Sequence, residues 1–377
     1  YDLEVDPKSL YVAEVTNDVE DEGSFEEKEK ILYSLSIHGD ERAGVEAGAR
    51  AIEDVLTGED ADLAGLLDDV VLVFLFPNPD GWVAPSPENF SGDDVEDDDL
   101  VRVDAFRRQT GKELDMNRQW PTVGYIDPTH NPAEPDGADL QDDMPGVDDD
   151  VPERYLDLVP GALSIVEFLR DYENLNYGTD LHGMFDSEQY ILGLIMNTEY
   201  DARELHDLYE LNKVLGARLE ESVGPLLSEN REAFREFIGT DEATFPDTAF
   251  SYGTIYDTIN YTTTGTFGSW FATPEELGGL DLVAMSPEMS FDNRVGETMD
   301  FVPGNVETQV AGYRTFIRTF ADQATTTIEA EIATEGRSTA YVTTDARTRW
   351  SADRAFTEGG RDEGDGPAHA DGAGTLP

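Results

Sequence analysis

The chain contains no cysteine, which excludes both a disulfide framework and thiolate metal sites. Lysine is nearly missing too: Lys8, Lys28, Lys30, Lys112 and Lys213 are all there is in 377 residues. No basic stripe exists to neutralise phosphates, so nucleic acid is not an expected partner. No run of about 18 apolar residues occurs, so no membrane-spanning helix is expected.

What is present in excess is negative charge, with 82 Asp and Glu against 25 Lys and Arg for a net −57. Such a chain repels itself strongly unless screened, and the Debye length shrinks to about 3 Å near 1 M salt. The surface therefore reads as that of a halophile's protein. A disordered acidic chain is the competing reading, but 18 Phe, 15 Tyr and 4 Trp spread along the sequence oppose it. At 39% hydrophobic residues the core is ordinary, and the length suits one large α/β domain with an appendage or two ordinary domains.

Residues 31–37 (ILYSLSI) and 70–76 (VVLVFLF) are near-continuous apolar runs of strand length, the pattern of parallel strands covered on both faces. Between them Val45, Ala49, Ile52 and Val55/Leu56 recur at helical spacing, so a β-α-β crossover is expected. The alternating piece 10–15 is expected to pair as an edge hairpin with strand 31–37. Residues 77–81 (PNPDG) signal a turn. The acidic stretch 86–100, the irregular 102–120 and the Pro/Gly/Asp-rich 121–155 read as loop, the last as a solvated excursion. Helices are expected over 162–172, 201–219, about 230–238 and 306–320, and strands over 175–181 and 282–291. Residues 328–332 and 340–342 alternate like short strands.

Of five histidines, His130, His206 and His369 lie in polar surroundings and read as solvent-facing. His38 and His182 each end a strand, where ligands gather in open α/β sheets. His38 and Glu41, three residues apart on a turn, can converge on one cation. With His182 they would make a His2Glu set with one open position, the arrangement of a catalytic zinc.

These pieces, in order, resemble the zinc carboxypeptidases of the M14 family. The matching segments are HGDE at 38–41, PNPDG at 77–81, FRRQTGKELDMNRQW at 106–120, DLHG at 180–183, TIY at 254–256 and PEMSF at 287–291. The resemblance implies a three-layer α/β/α fold with a mixed, largely parallel sheet. It implies one Zn²⁺ per chain, held by His38, Glu41 and His182, with Asp115 behind His38. It makes Glu288 the general base and Arg107 the oxyanion donor, with Arg108 as an alternative. Asn117 and Arg118 would grip the substrate's terminal carboxylate, and Tyr256 would close over the bound residue, with Tyr252 and Tyr261 as rivals for that match. Pro287 departs from the family pattern, in which an apolar strand residue is common before the base.

The expected activity is release of C-terminal residues from peptides or proteins. Two alternatives stay open: a zinc-dependent N-acyl amino acid deacylase of the desuccinylase/aspartoacylase kind, and a non-catalytic zinc-binding homologue. The catalytic domain is expected over 1–323, a small β segment over 324–356 and a disordered acidic tail over 357–377. The family and the Tyr1 start point to a secreted or cell-surface protein, while a halophile's cytoplasm would require the same acidic surface, so that location stays open as well. Nothing indicates an oligomeric state or a side-chain preference.

Overall fold

The two apolar runs lie side by side at the centre of a seven-stranded sheet. The computed structural model describes residues 9–39, 41–82, 115–118, 120, 160–183, 191–195, 202–229, 250–255, 258, 265–275, 279–289 and 305–335. In chain order the elements are β1 (Tyr11–Val15), α1 (Glu22–Glu27), β2 (Glu29–Leu35), α2 (Ala43–Thr57), α3 (Ala61–Leu66), β3 (Val70–Phe76), α4 (Pro79–Trp82), a 3-10 turn (Met116–Arg118), α5 (Pro160–Arg170), β4 (Leu175–Gly183), β5 (Ile191–Ile195), α6 (Ala202–Glu229), β6 (Phe250–Thr254), α7 (Phe267–Ala272), β7 (Val283–Met289) and α8 (Asn305–Glu335).

The strand order is β1-β3-β2-β4-β7-β5-β6. Strands β3, β2, β4 and β7 are mutually parallel; β1 and β5 join antiparallel on β3 and β7, and β6 runs parallel to β5. The sheet is thus mixed and largely parallel, as expected. The chain builds outward from β2 to β3 and then returns to place β4 on β2's other side. The ends of β2 and β4 therefore flank a topological switch point.

Alternation along the central strands explains the layers. Ile31, Tyr33 and Leu35 of β2, with Leu72 and Phe74 of β3, face one core shared with Val45, Ala47 and Ala51 of α2, Leu63 of α3, Leu215 and Leu219 of α6 and Tyr313, Phe316 and Phe320 of α8. Leu32, Val71, Val73 and Leu75 face the other, with Ile165 and Leu169 of α5, Trp270 and Phe271 of α7, and Trp120. Helices cover both faces, which is why neither strand could afford a polar side.

Several expectations are corrected. Segment 10–15 pairs with β3, not with 31–37. The stretch after it folds as α1, with the Asp21 carboxylate accepting from the Ser24 N–H, so the chain cannot reverse tightly into β2. Thr16 instead anchors the end of β1 by donating to the carbonyls of Leu67 and Val70 at 3.0 and 2.9 Å. Residues 328–332, read as a strand, continue α8. The spacing of Ile328 and Ile332 satisfies a helix as well as alternation does, and the buried series Ile317, Ala321, Ala324 leads into it. Helix 201–219 runs on to Glu229 despite Pro225, because Leu219, Val223 and Leu227 extend its buried stripe. Strand β5 was not anticipated. The expected helix near 230–238, the excursion 121–155, the segment 340–342 and the tail lie outside the described residues.

Candidate active site

The site begins where β2 stops. Ser36 takes a left-handed backbone, φ 60°, which turns the chain out of the strand toward His38. Behind it, the first turn of α2 presses against the sheet at Gly44, where a Cβ would come within 2.6 Å of Ser36 Oγ and 2.8 Å of Leu181 Cβ. Only glycine permits that approach. The PNPDG turn supports the same point from β3: Asn78 Nδ2 donates to the Ile37 carbonyl at 2.9 Å, and Asn78 Oδ1 accepts from the Gly81 N–H at 3.0 Å. Arg42 lies over the Trp82 ring, 4.2 Å from its centroid, and donates to the Trp82 carbonyl at 3.1 Å. It thus joins the two turns.

His38, Glu41 and His182 come together, and one ligand atom from each lies within 4.8 Å of the others. The Glu41 N–H donates to the His38 carbonyl at 3.2 Å, closing the turn. The Glu41 carboxylate then stands between the imidazoles, Oε1 at 2.8 Å from His38 Nδ1 and Oε2 at 2.9 Å from His182 Nδ1. Its Oε2 also accepts from the Gly183 N–H at 2.9 Å. All three side chains are buried. Burial alone would raise the Glu41 carboxyl, but the His38 and His182 imidazoles outweigh it and hold the carboxyl well below its ordinary value. Burial would lower His182, but the Asp180 and Glu41 carboxylates push it well above its ordinary value.

Each imidazole turns its second nitrogen to another carboxylate. His38 Nε2 meets Asp115 Oδ1 at 3.1 Å, as the resemblance implied, and that oxygen also accepts from the Asn117 N–H at 2.9 Å. His182 Nε2 meets Asp180 Oδ2 at 2.6 Å, while Asp180 Oδ1 accepts from Ser34 Oγ at 2.6 Å. Asp180 escaped the sequence reading as a site residue. The signal was there, because Asp180 and His182 are two apart on one strand and so share a face. Carboxylates placed this way fix the tautomer and strengthen an imidazole as a ligand.

Asn117 is brought to the same centre, its Nδ2 3.5 Å from His182 Nε2 and its Oδ1 accepting from the Phe267 N–H at 2.7 Å. The half-buried Arg118 follows it, donating from Nη1 to the Asn117 carbonyl at 2.9 Å. Glu288 sits on β7 directly opposite His182 in the β4–β7 pairing. Arg107, Arg108 and Tyr256 lie outside the described residues. Two imidazoles and a carboxylate converging in a buried pocket can hold one divalent metal, with an acid/base carboxylate on the neighbouring strand.

A profile described as zinc carboxypeptidase matches residues 5–307. No curated protein matches. Among solved structures, a metallo-carboxypeptidase from Pseudomonas aeruginosa is 12% identical, with 83% of this chain and 60% of that one covered and a TM-score of 0.47. Bovine thrombin-activatable fibrinolysis inhibitor is 13% identical, with coverages of 83% and 84% and a TM-score of 0.49. A succinylglutamate desuccinylase from Vibrio parahaemolyticus is 16% identical, with coverages of 79% and 68% and a TM-score of 0.36. The chain spans 60% of the Pseudomonas chain's length.

Proposed function

The chain belongs to the zinc carboxypeptidase family, and we propose that it is a zinc-dependent hydrolase that releases the C-terminal residue of peptides or proteins. The observation that carries this reading is the His38–Glu41–His182 cluster with Glu288 across from His182. Its donor set fits zinc: two imidazole nitrogens and one carboxylate suit that ion, whereas calcium and magnesium take oxygen ligands. When bound, zinc supplies a Lewis acid that polarises a carbonyl and lowers the pKa of water toward about 7.

The chain's own groups then do the following. His38, Glu41 and His182 hold the ion, with Asp115 and Asp180 keeping the two imidazoles in the right tautomer. Glu288 takes a proton from the attacking water and delivers it to the departing amine nitrogen as the C–N bond breaks, so water's oxygen ends in the new carboxylate. Arg107, or Arg108 beside it, donates to the oxyanion as it develops. Asn117 and Arg118 hold the free carboxylate that distinguishes a chain end, a task suited to the guanidinium fork. Tyr256 covers the bound residue. The acidic surface is suited to work in high salt.

The test is Glu288→Gln, assayed for C-terminal residue release from a blocked dipeptide at about 2–4 M salt. The expected fall in kcat is about 10²–10⁴-fold, with zinc retained at one per chain. Undiminished turnover removes Glu288 from the reaction. Preferential turnover of N-acyl amino acids over the blocked dipeptide makes the protein a deacylase. Zinc content without hydrolysis of any member of a broad peptide library makes it a binding protein.

A further inference from the structure

Strand β7 runs inside the sheet between β4 and β5, yet it carries Pro287, one residue before Glu288. A proline has no N–H and removes a ladder hydrogen bond, so prolines are expected at sheet edges and bulges rather than in interior strands. Here the strand continues through it. Gly193 of β5 faces Pro287 on one side, and His182 of β4 faces Glu288 on the other. The β4–β7 pairing is nevertheless interrupted, running from Tyr177–Val283 to Thr179–Met285 and resuming only at His182–Glu288.

A side chain from another layer stands at that interruption. Tyr313 of α8 is fully buried, and its hydroxyl reaches the Pro287 carbonyl at 3.0 Å and also the His182 carbonyl. One phenolic group therefore touches the backbone of both strands at the residues that matter. Its helix is itself tied down one turn later, where Tyr33 Oη of β2 donates to the Ile317 carbonyl at 2.9 Å. The hydroxyl is thus presented from a fixed support, and a site of this kind is only as accurate as its supports.

We propose that Tyr313 is a positioning residue for the hydrolysis described above: its hydroxyl, set against the carbonyls of His182 and Pro287 where proline leaves the ladder one hydrogen bond short, holds the backbone of His182 at a fixed distance from the backbone carrying Glu288. The inference rests on the assignment of His182 as metal ligand and Glu288 as base. Sub-ångström errors between a base and the water it deprotonates are costly, and the interruption that this contact spans lies immediately before the His182–Glu288 pair.

The experiment compares wild type, Tyr313→Phe, Pro287→Ala, the double variant and Glu288→Gln. It measures kcat and KM on a blocked dipeptide, the zinc dissociation constant by chelator competition, and Tm. Phenylalanine keeps the ring in the core and removes only the hydroxyl. Tyr313→Phe is expected to lower kcat about tenfold, with KM within about threefold and zinc bound about fivefold more weakly, the scale of one lost buried hydrogen bond. Pro287→Ala returns an N–H to β7, so the double variant is expected to recover most of the lost kcat, while Pro287→Ala alone stays within about twofold of wild type.

A lowered Tm with wild-type kcat and zinc affinity, measured well below that Tm, overturns the proposal and leaves Tyr313 as a core residue. So does a double variant no better than Tyr313→Phe. If Glu288→Gln keeps full activity, the hydrolytic assignment itself has failed. The zinc dissociation constant of Tyr313→Phe then decides alone: weaker binding upholds the positioning of His182, and unchanged binding overturns it.

Discussion

Carboxylates meet cationic partners in two regions of this molecule, and the two are built differently. At the ends of β2 and β4, Glu41, Asp115 and Asp180 are 3%, 4% and 0% exposed, and each contacts an imidazole nitrogen at 2.6–3.1 Å. Along the crossing of α8 with α2 and α3, Asp54 pairs with Arg314 and Asp60 with Arg318; these two carboxylates are also buried, at 7% exposed each, but their partners' side chains are 37% and 43% exposed. The difference teaches where the net charge of −57 belongs. In the second region the cation of each pair stays in contact with water, so the pair is partly screened and cheaper to change. At the strand ends both members of each pair are desolvated, and removing one leaves a cost that water cannot cover. Two lysines buried among the described residues follow the same logic: Lys28 and Lys30 donate to backbone carbonyls rather than decorating the surface.

The sharpest way to break the comparison is Glu41→Gln. If the inner carboxylates are a metal centre, zinc affinity measured by chelator competition should fall by about 1,000-fold or more, because an anionic ligand is replaced by a neutral amide. If Glu41 is merely a buried acid balanced by two imidazoles, the variant should bind zinc as well as the wild type does.

Next in size is the pair Asp180→Asn and Asp115→Asn. Each should weaken zinc about 10–100-fold while leaving one ion per chain at saturation. The comparison between them is informative in itself. Asp180 holds His182 at 2.6 Å and is fixed by Ser34, its partner in the β2–β4 pairing. Asp115 sits at 3.1 Å, just before the 3-10 turn Met116–Arg118. The strand-held carboxylate is expected to matter more, and equal losses would mean that support from a strand adds nothing here.

The same contrast explains what could be read from the sequence. Strands β2 and β3 were legible because residues 31–37 and 70–76 are apolar on both faces, a pattern with few other homes. His38, Glu41 and His182 were legible because each stands at or just after a strand end. What escaped was whatever depends on contacts between distant segments. That β1 chooses β3 over β2 is set by Asp21 capping α1 and by Thr16 reaching Leu67 and Val70. The series Ile328, Ala330, Ile332 fits period 2 and a helical i, i+4 pair equally, and the buried stripe upstream decides it. Asp180 stood inside the DLHG segment at 180–183 but carried no role of its own there. Nor does any local pattern in the expected helix 306–320 record that the Tyr313 hydroxyl ends beside Pro287.

The smallest expected effect lies in the outer region, and it separates two roles of one residue. Asp60 accepts from the Leu63 N–H at 3.0 Å as the cap of α3 and pairs with Arg318. Asparagine preserves the cap and removes the charge, so Asp60→Asn should cost at most about 1 kcal/mol in denaturant unfolding. That cost should shrink as salt is raised, because the partly exposed pair is screened. Asp60→Ala removes both, and should cost about 1 kcal/mol more than Asp60→Asn at every salt concentration. A large, salt-insensitive loss in Asp60→Asn would mean that the exposed Arg318 leaves this pair no better screened than the strand-end pairs, and would erase the distinction between the two regions.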